Sequence, residues 1–170
     1  LATILVVCVL PAKSSFANDI ANHQMKTELT YWANKNVILP DAKGNFNPNK
    51  TVTRGEFASY ITRALKLPAN SSYKFKDIKT GTKIANEISA AAAANIIGGY
   101  PDGTFKPNAS VTRQHMAAML HKALMYKKIP TKTAALKFID NHKISKQFTN
   151  AVATNVHYGI IRGSTSPKGV

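Results

Sequence analysis

The chain has 170 residues, of which 44% are hydrophobic, with 23 Lys and Arg against 8 Asp and Glu, a formal net charge of +15. That apolar content excludes disorder throughout, and the length fits one ordinary domain or a few small repeated units. The charge points to a polyanionic partner without choosing among nucleic acid, anionic lipid and acidic wall polymer.

In chain order, the first segment is a short apolar run, Leu1 to Leu10, ended by Pro11. Small residues stand third-last and last before Asn18, at Ser15 and Ala17. This is the pattern of a secretory signal over residues 1–17, too short to span a bilayer, and N-terminally incomplete because no Met or basic segment precedes Leu1. The only cysteine, Cys8, lies within it, so a chain cleaved after Ala17 has no disulfide and no thiolate metal site. It keeps 22 basic against 8 acidic residues, no cofactor motif and no membrane span. Export argues against nucleic acid as the partner. The sequence does not set the oligomeric state.

The remainder contains an internal repeat. Asn36 to Leu67 aligns without a gap on Asn95 to Tyr126, 59 residues later: Phe46 on Phe105, Pro48 on Pro107, and Val52-Thr53-Arg54 on Val111-Thr112-Arg113. A third copy starts at Phe138-Ile139-Asp140, echoing Phe75-Lys76-Asp77, and runs to Gly159-Ile160-Ile161-Arg162-Gly163 without a third Thr-Arg. The units are 18–74, 75–137 and a truncated 138–170.

Each unit reads as helix, turn-rich loop, helix. The first helix is predicted at about 25–38 in unit one, with Leu29, Trp32 and Ala33, at 84–97 in unit two, and around Phe148, Val152 and Val156 in unit three. Between the helices run loops such as Gly98-Gly99-Tyr100-Pro101-Asp102-Gly103. The second helix follows the Thr-Arg, where Phe57, Tyr60, Ile61, Ala64 and Leu65 form one apolar stripe, repeated by Met116, Met119, Leu120, Ala123 and Leu124. Thr53 and Glu56 make a capping box; in unit two His115 replaces the carboxylate, which weakens that helix start by roughly 0.5–1 kcal/mol. Units of this size bury little alone and must pack on each other.

The strings GYPDGTFKPNASVTR (Gly99 to Arg113) and VTRGE (Val52 to Glu56), with the Phe-x-Asp starts, resemble the S-layer homology repeat over nearly all of 18–170. The resemblance implies an all-α fold of tandem helix-loop-helix units in a partial pseudo-threefold bundle. It further implies a secreted cell-surface protein held non-covalently to secondary cell-wall polymer, often through pyruvylated sugars. Ligand contacts then fall on Arg54 and Arg113. An Arg just after an N-cap stands beside unpaired N–H groups at a positive helix end and can pair bidentately with a carboxylate. Gly98 and Gly99 would admit a close ligand, and Tyr100 or Trp32 would stack on a sugar.

Structural roles stand beside these. Arg54 and Arg113 can cap helices or pair with acids between units, Trp32 can be core, and the glycines can simply form turns. Asp77 and Asp140 are expected to bond backbone at the start of their units. No metal is expected: Asp102-Gly103 lacks a ladder of oxygen ligands, and the five histidines show no zinc spacing and read as surface residues. The aspartates recur with the repeat, and no nucleophile motif is present, so catalysis is expected to lie beyond residue 170, in a wall hydrolase or other exoenzyme, if anywhere. A third reading is nonspecific polyanion binding driven by charge alone.

Overall fold

A computed structural model describes residues 18–163; the proposed signal segment lies outside the described residues. Five α-helices carry the fold: α1 (Lys26–Asn34), α2 (Arg54–Leu65), α3 (Lys83–Ala93), α4 (Arg113–Tyr126) and α5 (Thr149–His157), with no strand among the described residues. The expected all-α class is what is found.

The three first helices of the units end identically. Asn36, Asn95 and Gly159 adopt left-handed φ of 56°, 56° and 66°. The next residue's N–H then reaches back over the last turn, Val37 to Trp32 O, Ile96 to Ala91 O and Ile160 to Asn155 O, at 2.8–2.9 Å. These caps stop α1 and α3 short of the predicted 38 and 97, since a left-handed residue cannot continue a helix. The second helices start as read: Thr53 and Glu56 form a complete capping box, and the Thr112 side chain accepts from His115 N–H.

Packing does not follow the sequence repeat. The second helix of one unit packs on the first helix of the next, α2 on α3 and α4 on α5. Ala58 and Ile61 of α2 meet Ile88, Ala91 and Ala92 of α3, with Phe75 and Phe105 closing the same core from the loops. The buried face of α2 is rotated from the predicted stripe: Ala58 and Ile61 are buried and Ala64 is exposed. Across this pair Arg63 binds Glu87 bidentately at 2.7 and 2.8 Å, and the Thr62 hydroxyl donates to Glu87 O at 2.8 Å. α1 buries no residue of its own.

Loop position is set by carboxylates. Asp77 accepts from the N–H groups of Phe105 and Lys106 at 2.8 and 2.7 Å, as expected for it. Asp19, which the Phe-x-Asp pattern missed because Ala17 replaces the Phe, does the same for Phe46 and Asn47. Asp140 is exposed and makes no such side-chain bond among the described residues, where the third unit's own loop is not included.

The α4–α5 pair is joined differently from α2–α3. Asn155, fully buried on α5, donates to Ala117 O of α4 at 2.9 Å and to Ala151 O at 2.7 Å. His115 holds Thr112 Oγ1 at 2.8 Å through Nδ1 and meets the Phe148 ring edge-on, while His121 has a buried Nδ1 without a partner. His115 thus packs on the third unit and His121 is half-buried, unlike His142 and His157, which are exposed.

Burial holds both imidazoles below their ordinary 6.5, and for His115 the Arg54 charge adds to it. The folded chain therefore binds these protons less readily than the unfolded one, and stability present above about pH 6.5 is lost as pH falls through it. The thermal midpoint is expected to drop between about pH 7.5 and about pH 5.5, and to drop less in the double variant H115E/H121T, which restores the residue types of α2. Equal drops in both proteins would contradict this assignment.

Candidate binding grooves

The Thr-Arg motif of each unit reaches into the next unit. At the start of α2, Arg54 N–H donates to Ala109 O and Gly55 N–H to Pro107 O, both at 2.9 Å. Val111 N–H returns to Val52 O at 3.1 Å, and Thr53 pairs with Ser110 as an isolated bridge. The expectation of unpaired N–H groups beside Arg54 is corrected here: the loop of the second unit supplies their acceptors, so this helix start does not present bare donors to an anion.

The Arg54 side chain is committed in the same direction. It is 4% exposed, donates from Nε to Phe105 O at 3.0 Å and from Nη2 to Gly98 O at 3.5 Å. Its Cζ lies 4.8 Å from the Phe105 ring centroid and 5.1 Å from that of Tyr100, whose ring also receives Lys106 Nζ at 4.3 Å. Burial lowers the Arg54 pKa from its ordinary value, with Tyr100 and Asp77 acting in the opposite sense. Arginine remains protonated in such settings, so the result is a permanent cation clamped between units.

Arg113 repeats the motif with a different outcome. Its Nη2 donates to Arg162 O at 3.0 Å, the counterpart of the Arg54–Gly98 bond, yet the residue is exposed. It lines a cavity of about 360 Å³ with Lys143, Arg162 and Asp140 over an apolar floor of Phe138, Val152 and Ile161. A second cleft of about 430 Å³ lies under the first unit's loop, bordered by Leu29, Phe46 and Tyr60. Its cations are already answered: Lys50 pairs with Glu56 at 2.9 Å and Arg63 with Glu87.

The structure therefore gathers Arg54, Gly98, Gly99 and Tyr100 at one junction, and places Arg113 at the next. Trp32 stands apart on α1, 43% exposed and edge-on to Tyr31 at 5.0 Å. The two glycines differ. A Cβ at Gly99 would meet Phe75 Cε1 and Thr104 O at 2.7 Å, whereas one at Gly98 would meet nothing within 4 Å. Gly163 repeats the close approach, 3.0 Å from Phe138. Lys143 and Arg162 were not singled out in the sequence; the offset packing that brings them to Arg113 has no signature in the repeat alignment.

Two stability measurements follow. Arg54→Ala removes buried, charge-assisted bonds and is expected to cost about 2–4 kcal/mol in denaturant unfolding, while Arg113→Ala costs under about 1 kcal/mol. Gly99→Ala is expected to cost about 1–3 kcal/mol through forced contact with backbone, and Gly98→Ala to fall within about 0.5 kcal/mol of the parent. Similar costs within either pair would refute the geometry.

Comparison with known proteins assigns the family. A family model described as S-layer homology domain matches residues 18–58 and 74–117. The chain is 35% identical to an amylopullulanase of Thermoanaerobacterium thermosulfurigenes over 89% of its own length and 8% of that protein's. It is 34% identical to an exoglucanase of Acetivibrio thermocellus, covering 93% of this chain and 15% of the relative. With an S-layer protein of Bacillus thuringiensis subsp. finitimus the identity is 32%, over 94% of this chain and 20% of that one. The chain thus spans a small fraction of the relatives it matches. A segment common to two different glycan-degrading enzymes and to an S-layer protein is not the catalytic part of either enzyme. These 146 described residues form a cell-surface, wall-anchoring module rather than an enzyme, and the chain belongs to the S-layer homology family.

Proposed function

We propose that the module anchors a longer exported protein by binding an anionic secondary cell-wall polymer, with a pyruvylated sugar as the group recognised. The observation that carries this reading is the Arg113 groove: an exposed guanidinium, two further cations at Lys143 and Arg162, and an apolar floor. A pyruvyl ketal offers one carboxylate on a largely apolar ring edge, which matches a fork of N–H donors above Phe138 and Ile161.

Arg54 takes a different part. With its N–H groups directed to carbonyls, it fixes the loop that holds Gly98 and Tyr100 and thereby the spacing of the grooves. Tyr100 belongs to that clamp, between two cations. Trp32, exposed on α1, offers a ring face to a sugar unit further along the polymer. The enzymes among the relatives support a role as the targeting region of a longer exoenzyme; the S-layer relative supports a structural cargo equally well.

Co-sedimentation with wall sacculi tests the proposal. Pelleting is expected with intact sacculi and is expected to be lost once secondary polymer is extracted, at both low and moderate salt. Arg113→Ala is expected to weaken pelleting by about tenfold, the value of one charge-assisted contact. Equal pelleting with intact and extracted sacculi would overturn the reading.

A further inference from the structure

Two helix pairs join the units, and they are built from different residues. Between α2 and α3, Arg63 binds the Glu87 carboxylate twice, the Thr62 hydroxyl donates to Glu87 O, and Arg63 Nη1 also reaches Val37 O of the first unit at 3.1 Å. Carried 59 residues on, the places of Thr62 and Arg63 fall on His121 and Lys122 of α4. With the helix stops Asn95 and Gly159 aligned, the place of Glu87 falls on Ala151 of α5. Lys122 is exposed and forms no ion pair among the described residues, and His121 Nδ1 is buried without a partner. The bonds that Glu87 makes across the first pair therefore have no counterpart in the second.

Apolar contact differs in the same sense. The core that joins Ala58 and Ile61 to Ile88 and Phe105 ends on Met119 and Ala123 of α4, and among the described residues it takes none from the third unit. α5 buries Ala151, Val152, Ala153, Thr154 and Asn155, all small or polar except Val152, and Asn155 Oδ1 has no partner. Asn155 reaches Ala117 O of α4, Ser145 N–H reaches Gln114 Oε1 at 3.1 Å, and Arg113 reaches Arg162 O. The last two bonds lie at exposed residues, where water replaces them at little cost. Other ties run inward: Ala134 N–H donates to Ala153 O at 3.1 Å and the Tyr158 hydroxyl to Pro130 O. The connection that follows α4 is thus fastened to α5, and the chain leaves α4 at Lys128, whose φ of 56° stops that helix.

We infer that α5 and its connection form a jaw that opens from α4 about Lys128 while α2, α3 and α4 stay folded, and that a carboxylate in the groove closes it. The opening follows from the missing core and the missing ties, since elements with few buried apolar contacts open below the global unfolding limit. The closure rests on the proposed reading of the Arg113 groove. That groove has one wall on each body: Arg113 and Gln114 on α4, and Lys143, Asp140 and Arg162 on the jaw. An anion held by cations on both walls binds the docked state in preference to the open one, and so draws the jaw shut.

Amide hydrogen exchange of the whole chain, read by mass spectrometry, tests both halves. In the free chain, protection factors in α5 are expected to be about tenfold or more below those in α2 and α3. Glu87→Ala is expected to lower protection in α3 by about tenfold and to leave α5 unchanged, because α5 opens without separating α2 from α3. Equal protection of α3 and α5 in the parent chain, or a fall in both together in Glu87→Ala, would overturn the opening. A methyl hexoside carrying a 4,6-pyruvyl ketal, at about ten times its Kd, is expected to raise α5 protection about tenfold. Binding at the Arg113 groove with α5 protection unchanged would overturn the closure. If the ketal does not bind, the groove reading and the closure fall together, while the opening is decided on the free chain.

Discussion

The start of α2 cannot be finished by its own unit. The first N–H groups of any helix lack partners within it, and in α2 those of Arg54 and Gly55 are met by Ala109 and Pro107 of the next unit. The guanidinium of Arg54 follows the same path to Phe105 O and Gly98 O. A unit cut at the sequence boundary would lose those acceptors and expose to water the guanidinium and the apolar surface that the next unit's loop covers. The junction between units, and not the unit, is what folds. The pairing of α2 with α3 and of α4 with α5 follows from it, as does the single core that joins Ala58 and Ile88 to Phe105 and Met119.

The same junction separates two kinds of positive charge. Arginine is used where geometry is fixed, and in the clamp its charge is spent on carbonyls and ring faces. The lysines of the connections between α2 and α3 and between α4 and α5 are exposed, and no acid pairs with them among the described residues. Between these extremes lies Arg113, with the motif of Arg54 and only one carbonyl held. The difference is one of surroundings. At Arg54 the second unit's loop closes over the side chain; at Arg113 the described part of the third unit brings only Arg162 O and an open cavity. Two copies of one short motif thus end in different chemical states, one a structural tie and the other a cation in a groove.

Much of this was legible before any coordinates. The 59-residue register, the helix starts at Thr53 and Thr112, the capping box and its loss at His115 all depend on local signals, and local signals survive in a sequence. So did the role of Asp77, because Phe-x-Asp recurs. What the sequence concealed was relational. Asp19 was hidden because only half of its motif remains. The helix stops at Asn36 and Asn95 were missed because asparagine tolerates a left-handed φ without demanding it. The separation of Arg54 from Arg113, the packing of His115 on Phe148, and the meeting of Lys143 with Arg162 depend on which surfaces of successive units touch. A repeat alignment superposes those surfaces instead of docking them. The glycine pair shows the limit sharply: Gly98 and Gly99 are neighbours of one type, and only the ring of Phe75 and the carbonyl of Thr104 distinguish them.

The central claim is that wall polymer is read at the Arg113 groove while Arg54 holds the frame. An NMR titration of the isotope-labelled chain with solubilised wall polymer tests it residue by residue. The account predicts shifts concentrated at Arg113, Gln114, Phe138, Lys143 and Arg162, with the Arg54 guanidinium and the Gly98–Phe105 loop little changed. Shifts centred on Arg54 and its loop, with the Arg113 groove silent, would contradict it.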